Sequence, residues 1–514
     1  MKKKSLQEDI VDVCLRRGII FPSAEIYNGP SGFYEFGPVG ESIRQNIIQL
    51  WQEAFVNAEN NVYEISGSTI LPENVFEASG HLESFNDPLT QCEGCKSMFR
   101  ADHIIEEQVG INVDGKSLAE LFDIIKEKNI VCNTCKGVLT MPREFNMMFS
   151  TTIGPVSDKT GYLRPETAQN IFLNFRRISH SMRAKLPFGV AQIGKAYRNE
   201  ISPRNFLIRL REFEQMEIEM FVDPDEINNH TYWDDIKDFE VRILTREAQQ
   251  KNGKPKKMTL EQGITDKIIH NQYMAYYMFK ESLFVQDLGI SEDQFWFRHL
   301  LENQTAHYSK ANYDLEIQFP FGIVECIGLA YRTDYDLIKH AEKSKTNMQI
   351  NVPGKGNIVP HVIEPSFGLN RLVYAVLLNS YISEGREWTW FKFPKSIAPW
   401  EALITPLMKK DGMDETAENL YWDLKDQGID AIYDNSGNIG KRYARNDEVG
   451  VPFCITVDYD TLKDETVTIR DRDTTEQIRV SMDEVGSIIR ELILEIITWE
   501  EIKEETEVLN ENTE

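Results

Sequence analysis

Residues 192–221 read QIGKAYRNEISPRNFLIRLREFEQMEIEMF. Two alternating runs, GVAQIGKAY (189–197) and REFEQMEIEMF (211–221), flank a turn signal at Ser202-Pro203-Arg204-Asn205. That pattern predicts an antiparallel strand pair. In a strand, residues of equal parity share a face. Arg209, Arg211, Phe213, Gln215 and Glu217 then share one face, and Arg198 and Glu200 share a face of the preceding strand. The pair would present guanidinium groups, an aromatic ring and carboxylates on one floor. Arginine offers planar, bidentate donors to phosphate. Phenylalanine offers a surface on which a base stacks, and carboxylates accept hydrogen bonds from an ammonium. Cross-strand ion pairs on an exposed sheet face account for the same pattern equally well.

The 514-residue chain carries 82 acidic against 56 basic residues, a formal net charge of −26. This argues against non-specific nucleic-acid binding through the global field, and leaves room for a local basic site. No run approaches the eighteen or more uncharged apolar residues of a membrane span. The N-terminus, MKKKSLQEDIVDVCLRRGI, turns charged and amphipathic where a secretory signal would be apolar. The expected location is the cytoplasm.

Two further stretches place charge in apolar surroundings. FGIVECIGLAYRTDYD sets Glu325 in an apolar strand, where a carboxylate needs Arg, Lys or a metal such as Mg²⁺. EPSFGLNR (364–371) ends on Arg371 as an otherwise apolar helix begins. An arginine there is either buried and paired or aimed at an anion. GYLRPETAQN contributes Arg164 and Glu166, compatible with a plain surface turn.

Cys92-x-x-Cys95 and Cys132-x-x-Cys135 stand 36 residues apart. Two such knuckles make a tetrahedral Zn²⁺ site with no open coordination position. The long spacer brackets a small subdomain; disulfides, or a site that has lost its metal, are the alternatives. Cys14, Cys326 and Cys454 sit alone among apolar residues and read as core.

The domain organisation expected is 1–90 with 141–394 as one unit, a zinc-binding insertion at 91–140 and a helical insertion at 225–315. A small α/β domain follows at 395–498, where strand and helix alternate, its last helix carrying Ile488, Ile489, Leu492, Ile493, Ile496 and Ile497 as a packing face. Residues 499–514 read as an acidic, disordered tail.

Together these residues resemble the class II aminoacyl-tRNA synthetases, in particular the single-chain, homodimeric glycyl branch of archaeal and eukaryotic type. GFYEFGPVGESIRQNIIQLW with the strand ending at Pro72 resembles motif 1. YRNE…IRLREF resembles motif 2, and EPSFGLNR motif 3. The fold implied is an α+β catalytic domain on an antiparallel sheet, with a zinc-ribbon-like insertion, a helical insertion and a C-terminal α/β anticodon-binding domain.

The resemblance implies an ATP site of Arg198, Asn199, Glu200, Ile208, Arg209, Leu210, Arg211, Glu212, Phe213, Glu325, Cys326, Gly368, Leu369, Asn370 and Arg371. Within it, Arg198, Arg371 and Glu325 would be catalytic, Arg209 would meet the terminal phosphates and Phe213 the adenine. The implied glycine site comprises Arg100, Glu166, Phe213, Glu214, Gln215, Met216, Glu217, Glu364, Pro365, Ser366, Phe367 and Gly368, with Glu166, Glu217 and Glu364 around the ammonium. Asn370 stands where the motif usually has an acid. Lys441, Arg442 and Arg445, in IGKRYARNDEVGVPFCITVD, would contact tRNA. ATP, Mg²⁺, structural Zn²⁺, tRNA(Gly) and a second copy of the chain are the implied cofactors and partners. Another class II enzyme of the prolyl or threonyl branch is one rival reading, and a catalytically silent RNA-binding relative is another.

Overall fold

A computed structural model describes residues 5–509, apart from residues 112, 114, 156–158, 306 and 307. The two alternating runs are strands β2 (Phe188–Tyr197) and β3 (Glu212–Val222), antiparallel, with Gln192 opposite Glu217 and Val190 opposite Glu219. Beyond β2 lies the edge strand β1 (Val62–Ile65). On the other side the sheet continues through β9 (His361–Gly368), β8 (Gly322–Thr333), β7 (Ala311–Phe319), β6 (Phe295–His299), β4 (Glu240–Leu244) and β5 (Lys256–Thr259). Of these nine strands, only the β1–β2 and β4–β6 pairings are parallel.

Strand parity divides the sheet chemically. Met216, Ile218 and Met220 point to one side, into the main core. There helix α1 (Pro38–Gln52) brings Trp51, and the π turn after it brings Phe55; helix α3 (Gln272–Asp287) brings Phe284. These rings meet Phe367 of β9 at 4.9–5.8 Å between centroids. Gln215, Glu217 and Glu219 point to the opposite side, under helices α2 (Ala168–Ser181) and α4 (Tyr335–Ser344). Helix α5 (Leu369–Ser380) continues directly from β9.

The structure corrects several expectations. Arg198, Glu200, Arg209 and Arg211 do not lie on strands: β2 ends at Tyr197 and β3 starts at Glu212. Proline at 203 has no N–H for a ladder, Asn205 and Phe206 take φ of 59° and 54°, and the Arg211 N–H turns away to Gly32 O. The 225–315 segment is not a helical insertion. Around α3 it builds β4, β5, β6 and the start of β7, which extend the central sheet. Strands of four or five residues are too short for their alternation to stand out beside a helical pattern.

The cysteine insertion is also wider than 91–140, because Asn86–Gln91 pairs with Arg143–Asn146 and with Met98–Arg100. The C-terminal domain is a six-stranded sheet with Ala402–Pro406 between parallel neighbours Ala431–Tyr433 and Phe453–Val457. Its last long helix, Val485–Ile493, stops short of the expected face; Glu495 turns at φ 55°, and Ile496 is exposed. The segment after 498 is ordered as helix Trp499–Glu505 and strand Glu507–Leu509. Its charge masks an apolar pair, Trp499 and Ile502, at helical spacing: Trp499 stacks on Phe453, and both join the domain core. Residues 510–514 lie outside the described residues.

Replacing Trp499 with alanine is therefore expected to destabilise the C-terminal domain by about 3 kcal/mol, read as an earlier transition in urea. An unchanged transition would show the segment to be a passive tail.

Candidate active site

A cavity of about 220 Å³ opens on the polar side of the sheet, between β3, β8, β9 and the 198–211 loop. One end is built on a buried cation. Arg332, at the end of β8, is 1% exposed. Its guanidinium donates to Asp336 at 2.8 and 3.0 Å and to Glu364, lies 3.8 Å from Glu166, and covers the Tyr308 ring at 3.9 Å. Glu217 accepts from Ser366 Oγ at 2.6 Å and Gln215 Nε2 at 2.9 Å through one oxygen. Its other oxygen accepts from the Thr167 N–H at 3.0 Å and the Thr167 hydroxyl. Glu219, wholly buried, lies on the same side of β3.

Glu166, Glu217, Glu219, Glu364 and Asp336 thus crowd around one guanidinium. Their titration divides accordingly. Burial pushes the Glu364 carboxyl up to about 8, against the pull of Arg332 and with Glu217 and Glu166 adding to the rise. Burial likewise raises Glu217, helped by Glu166, and raises Glu219 well above its ordinary value, helped by Glu364. Burial acts the same way on Glu166, but His81 and Arg332 outweigh it and hold that carboxyl low. Gln215 Oε1 is a buried acceptor without a donor among the described residues, and Gln215 lines this end of the cavity.

The other end carries separated cations. Arg198 donates to Pro165 O at 3.3 Å and lies 5.2 Å from the Phe213 ring centroid. Arg209 meets His103 at 3.1 Å and Glu200 at 3.8 Å. Burial, with Arg100 and Arg209 alongside, drives the His103 ring down to about 3, so it stays neutral and can accept. Arg371 donates to Ile208 O at 3.2 Å and Glu325 O at 2.6 Å. A bulge aims Glu325: Leu315 faces Ile327 but Glu316 faces Glu325, so Cys326 is the extra residue. Asp314 is pushed up to about 8 by burial and by Glu325, against Arg298 at 2.9 Å. Asp314 and Glu325 offer carboxylate oxygens at the cavity, the donor type Mg²⁺ takes, but among the described residues they close no metal-sized cluster, and Glu316 is engaged by Trp296 and Arg298.

Of the residues singled out in the sequence, the cavity brings together Glu166, Gln215, Glu217, Glu364 and Ser366 at one end. Arg198, Glu200, Ile208, Arg209, Leu210, Phe213, Glu325, Gly368 and Arg371 line the rest. Cys326 also borders it, but its thiol is buried, so the wall there is backbone. Other residues do not take the expected places. Glu214 and Asn370 also border the cavity, but the Glu214 carboxylate, like that of Glu212, points to the reverse face of β3, where Arg44 of α1 holds Glu214 in two hydrogen bonds of 2.5 Å and Lys195 pairs Glu212. Met216, Phe367 and Leu369 are core, and Pro365 alternates onto the same reverse side as Phe367. Arg211 donates to Glu200 O and Ser31 O, and the Asn199 N–H bonds Met147 O, so both brace the loop. Arg100 is held by Asp87 and Asp102, one layer behind Arg209. Asn370 needs no charge: its Oδ1 accepts the Glu214 N–H at 2.7 Å.

Arg332, Asp336, Thr167 and Asp314 were not picked out from the sequence. The available signal was an arginine closing an apolar strand with an acid four residues on. In the C-terminal domain Arg442 is not a surface cation. It is 2% exposed and donates to Thr405 Oγ1, Pro406 O and Gly437 O. Arg445 is tied to Asp434, and Lys441 is exposed.

The four cysteine sulfurs lie within 4.8 Å of one another, with Cys92–Cys135 at 3.4 Å and Cys95–Cys132 at 3.5 Å. These separations exceed a disulfide bond. They approach the S···S edge of about 3.8 Å set by four Zn–S bonds of ~2.3 Å. Both knuckles close alike, with Lys96 and Lys136 at φ 62° and 61°. A Cβ at Gly137 would meet two of the sulfurs at 3.0 and 3.2 Å. The cluster therefore fits a structural zinc.

Residues 155–380 match the family described as "tRNA synthetase class II core domain (G, H, P, S and T)", and residues 401–492 match "Anticodon binding domain". The chain is 41% identical to a glycine–tRNA ligase of Pyrococcus furiosus, over 95% of this chain and 99% of that one. It is 40% identical to that of Thermococcus kodakarensis and 39% to that of Methanocaldococcus jannaschii, in each case over 96% of this chain and all of the relative.

The cysteine geometry predicts about one zinc per chain by metal analysis. Cys132→Ser is expected to lower the melting temperature of the insertion, and through His103 to raise the KM for ATP. Metal-free protein with unchanged melting would contradict this.

Proposed function

The chain belongs to the glycine–tRNA ligase family of class II aminoacyl-tRNA synthetases, and from that premise we propose that the cavity holds glycine at its carboxylate end and ATP along its arginines. What carries the reading is the excess of buried carboxylates over the single Arg332, at the closed end of a cavity whose other end carries Arg198, Arg209 and Arg371. An ammonium supplies the missing charge. Ser366, Gln215 and Thr167 are held by Glu217, so the floor beside the α-carbon is rigid. A missing methylene alone gives about 1–3 kcal/mol of discrimination. A rigid wall against a larger side chain adds overpacking cost on top.

Glycine's carboxylate attacks the α-phosphorus of ATP in line, the bond to the β-phosphate oxygen breaks, and pyrophosphate leaves. The 3′-terminal ribose hydroxyl of tRNA(Gly) then attacks the carbonyl of the glycyl-adenylate, loses its proton and releases AMP. No enzyme nucleophile is required. Arg198 stabilises charge on the α-phosphate, Arg209 and Arg371 hold the outer phosphates, and Phe213 carries the adenine beside Glu200. These preorganised groups act by position and field. Glu325, at this end of the cavity, would offer a carboxylate to Mg²⁺, which supplies charge compensation to the phosphates. Of Lys441, Arg442 and Arg445, Lys441 is the exposed cation left for the tRNA. The active form is a homodimer in the cytoplasm; the exposed Ile26 and Tyr27 and the edge strand β1 favour a second copy there. No described helix is long and apolar enough to cross a membrane.

Glu166→Gln is expected to raise the KM for glycine roughly tenfold or more, as loss of a charged hydrogen bond of about 1.5–3 kcal/mol, with the KM for ATP little changed. Glycine-dependent ATP–pyrophosphate exchange reads both, and an unaltered glycine KM would remove Glu166 from the site.

A pH dependence follows as well. Glu364 ionises only near 8 in the free site, and an ammonium binds the ionised form better. The glycine KM should therefore fall severalfold between pH 6.5 and 8.5, and flatten in Glu364→Gln. A wild-type KM that rises over this range would refute the assignment.

A further inference from the structure

Helices α2 and α4 both start at the amino-acid end of the cavity. Thr167, just before α2, binds Glu217, and Asp336 in the first turn of α4 binds Arg332. The helices run outward packed on each other through Phe172, Phe175, Leu337 and Met348. Their far ends enclose a second, open groove of about 540 Å³, lined by Arg176, Arg177, His180, Thr346 and Met348 among others. Its lining residues on α2, Leu173 to Ser181, lie about 8–20 Å along the helix from the end at the cavity.

The two segments that meet there share a rare property in this chain. Residues 167–199 contain no Asp or Glu, where the chain's average would place about five, yet they hold six Lys and Arg. Residues 343–363 likewise contain no acid, and hold Lys343, Lys345 and Lys355. Arg176, Arg177, Arg183, Lys185 and Lys345 are exposed and make no ion pair among the described residues. The nearest acids on α4 are engaged elsewhere: Glu342 is paired with Lys339. Cations at a helix C-terminus offset its dipole, which accounts for His180. It does not account for Arg183, Lys185 and Lys345, which lie beyond the helix ends, or for the missing acids on two separate segments.

We propose that this groove binds the phosphate backbone of the RNA substrate. The inference rests on the reading above, which brings a polyanion to the neighbouring cavity. A molecule of net charge −26 repels RNA over most of its surface. Local cations without carboxylate partners are where phosphates can dock. Three of them are arginines, whose forked donors match phosphate oxygens.

The test is tRNA(Gly) binding at several salt concentrations by Arg176→Ala/Arg177→Ala/Arg183→Ala in the full chain, with glycine-dependent pyrophosphate exchange measured alongside. The expected result is roughly tenfold or greater loss of tRNA affinity at ~0.1 M salt. The slope of log K against log salt should become shallower by up to about 0.9 for each phosphate that is no longer neutralised. Pyrophosphate exchange and melting temperature should not change. Lys185→Ala/Lys345→Ala, one in each of the two acid-free segments, should shift binding the same way and serves if the triple variant folds poorly. Lys251→Ala/Lys257→Ala/Lys463→Ala removes three lysines that are paired with carboxylates and should weaken binding less. Unchanged affinity and slope in the groove variants overturns the proposal, as does an equal loss in the control. Binding of wild-type protein to anionic phosphatidylserine vesicles that the groove variants lose, with tRNA affinity unchanged, would assign the groove to a membrane surface and overturn it too. Absence of glycine-dependent exchange in the wild type would instead undo the activity reading, leaving the RNA-binding result to stand or fall separately.

Discussion

The buried guanidinium of Arg332 is the constraint around which the site is organised. An ion so fully removed from water costs several kcal/mol unless its donors are matched. Here Asp336 and Glu364 accept from it, and the Tyr308 ring covers it. Those contacts lock the end of β8 to β9 and to the first turn of α4. Gln169, which reaches both Glu166 and Asp336, ties in α2. Yet one guanidinium cannot balance five carboxylates. The protein answers by keeping some of them protonated in the free site, and the same imbalance suits the pocket to a small cation. The element that organises the fold locally thereby also sets the charge of the pocket.

The arginine-bearing end follows a different rule. Its arginines come from a loop and a helix start, and the loop is held by the cysteine insertion. His103 and Glu107, on the insertion's first helix, engage Arg204, and His103 also meets Arg209. The cysteine cluster thus gains a role, because it rigidifies the helix against which the loop arginines are set. Charge is arranged in the same local way over the whole molecule. The acidic total governs long-range behaviour, while short acid-free segments set what each surface can meet.

Much of this was legible in the sequence. The alternation in 189–197 and 211–221 located β2 and β3, EPSFGLNR located the β9–α5 junction, and the CxxC pairs located the cysteine cluster. What the sequence hid has physical causes. Parity placed Arg209 and Arg211 on a strand, but Pro203 and the Gly32 contact end the ladder before them. Short strands inside 240–315 were outweighed by one long helix. Net charge concealed Trp499 and Ile502. Arg442 and Arg332 show the remaining limit. An arginine in a polar-looking segment gives no local sign of whether it faces solvent or a buried set of acceptors; only tertiary packing decides.

The most direct measurement is a crystal structure of the chain with a non-hydrolysable glycyl-adenylate analogue. The account predicts the amine within about 4 Å of at least two of the Glu166, Glu217 and Glu364 carboxylates, with Arg332 unmoved and the phosphate beside Arg198. An amine turned toward solvent, or seated at the end carrying Arg209 and Arg371, would contradict it.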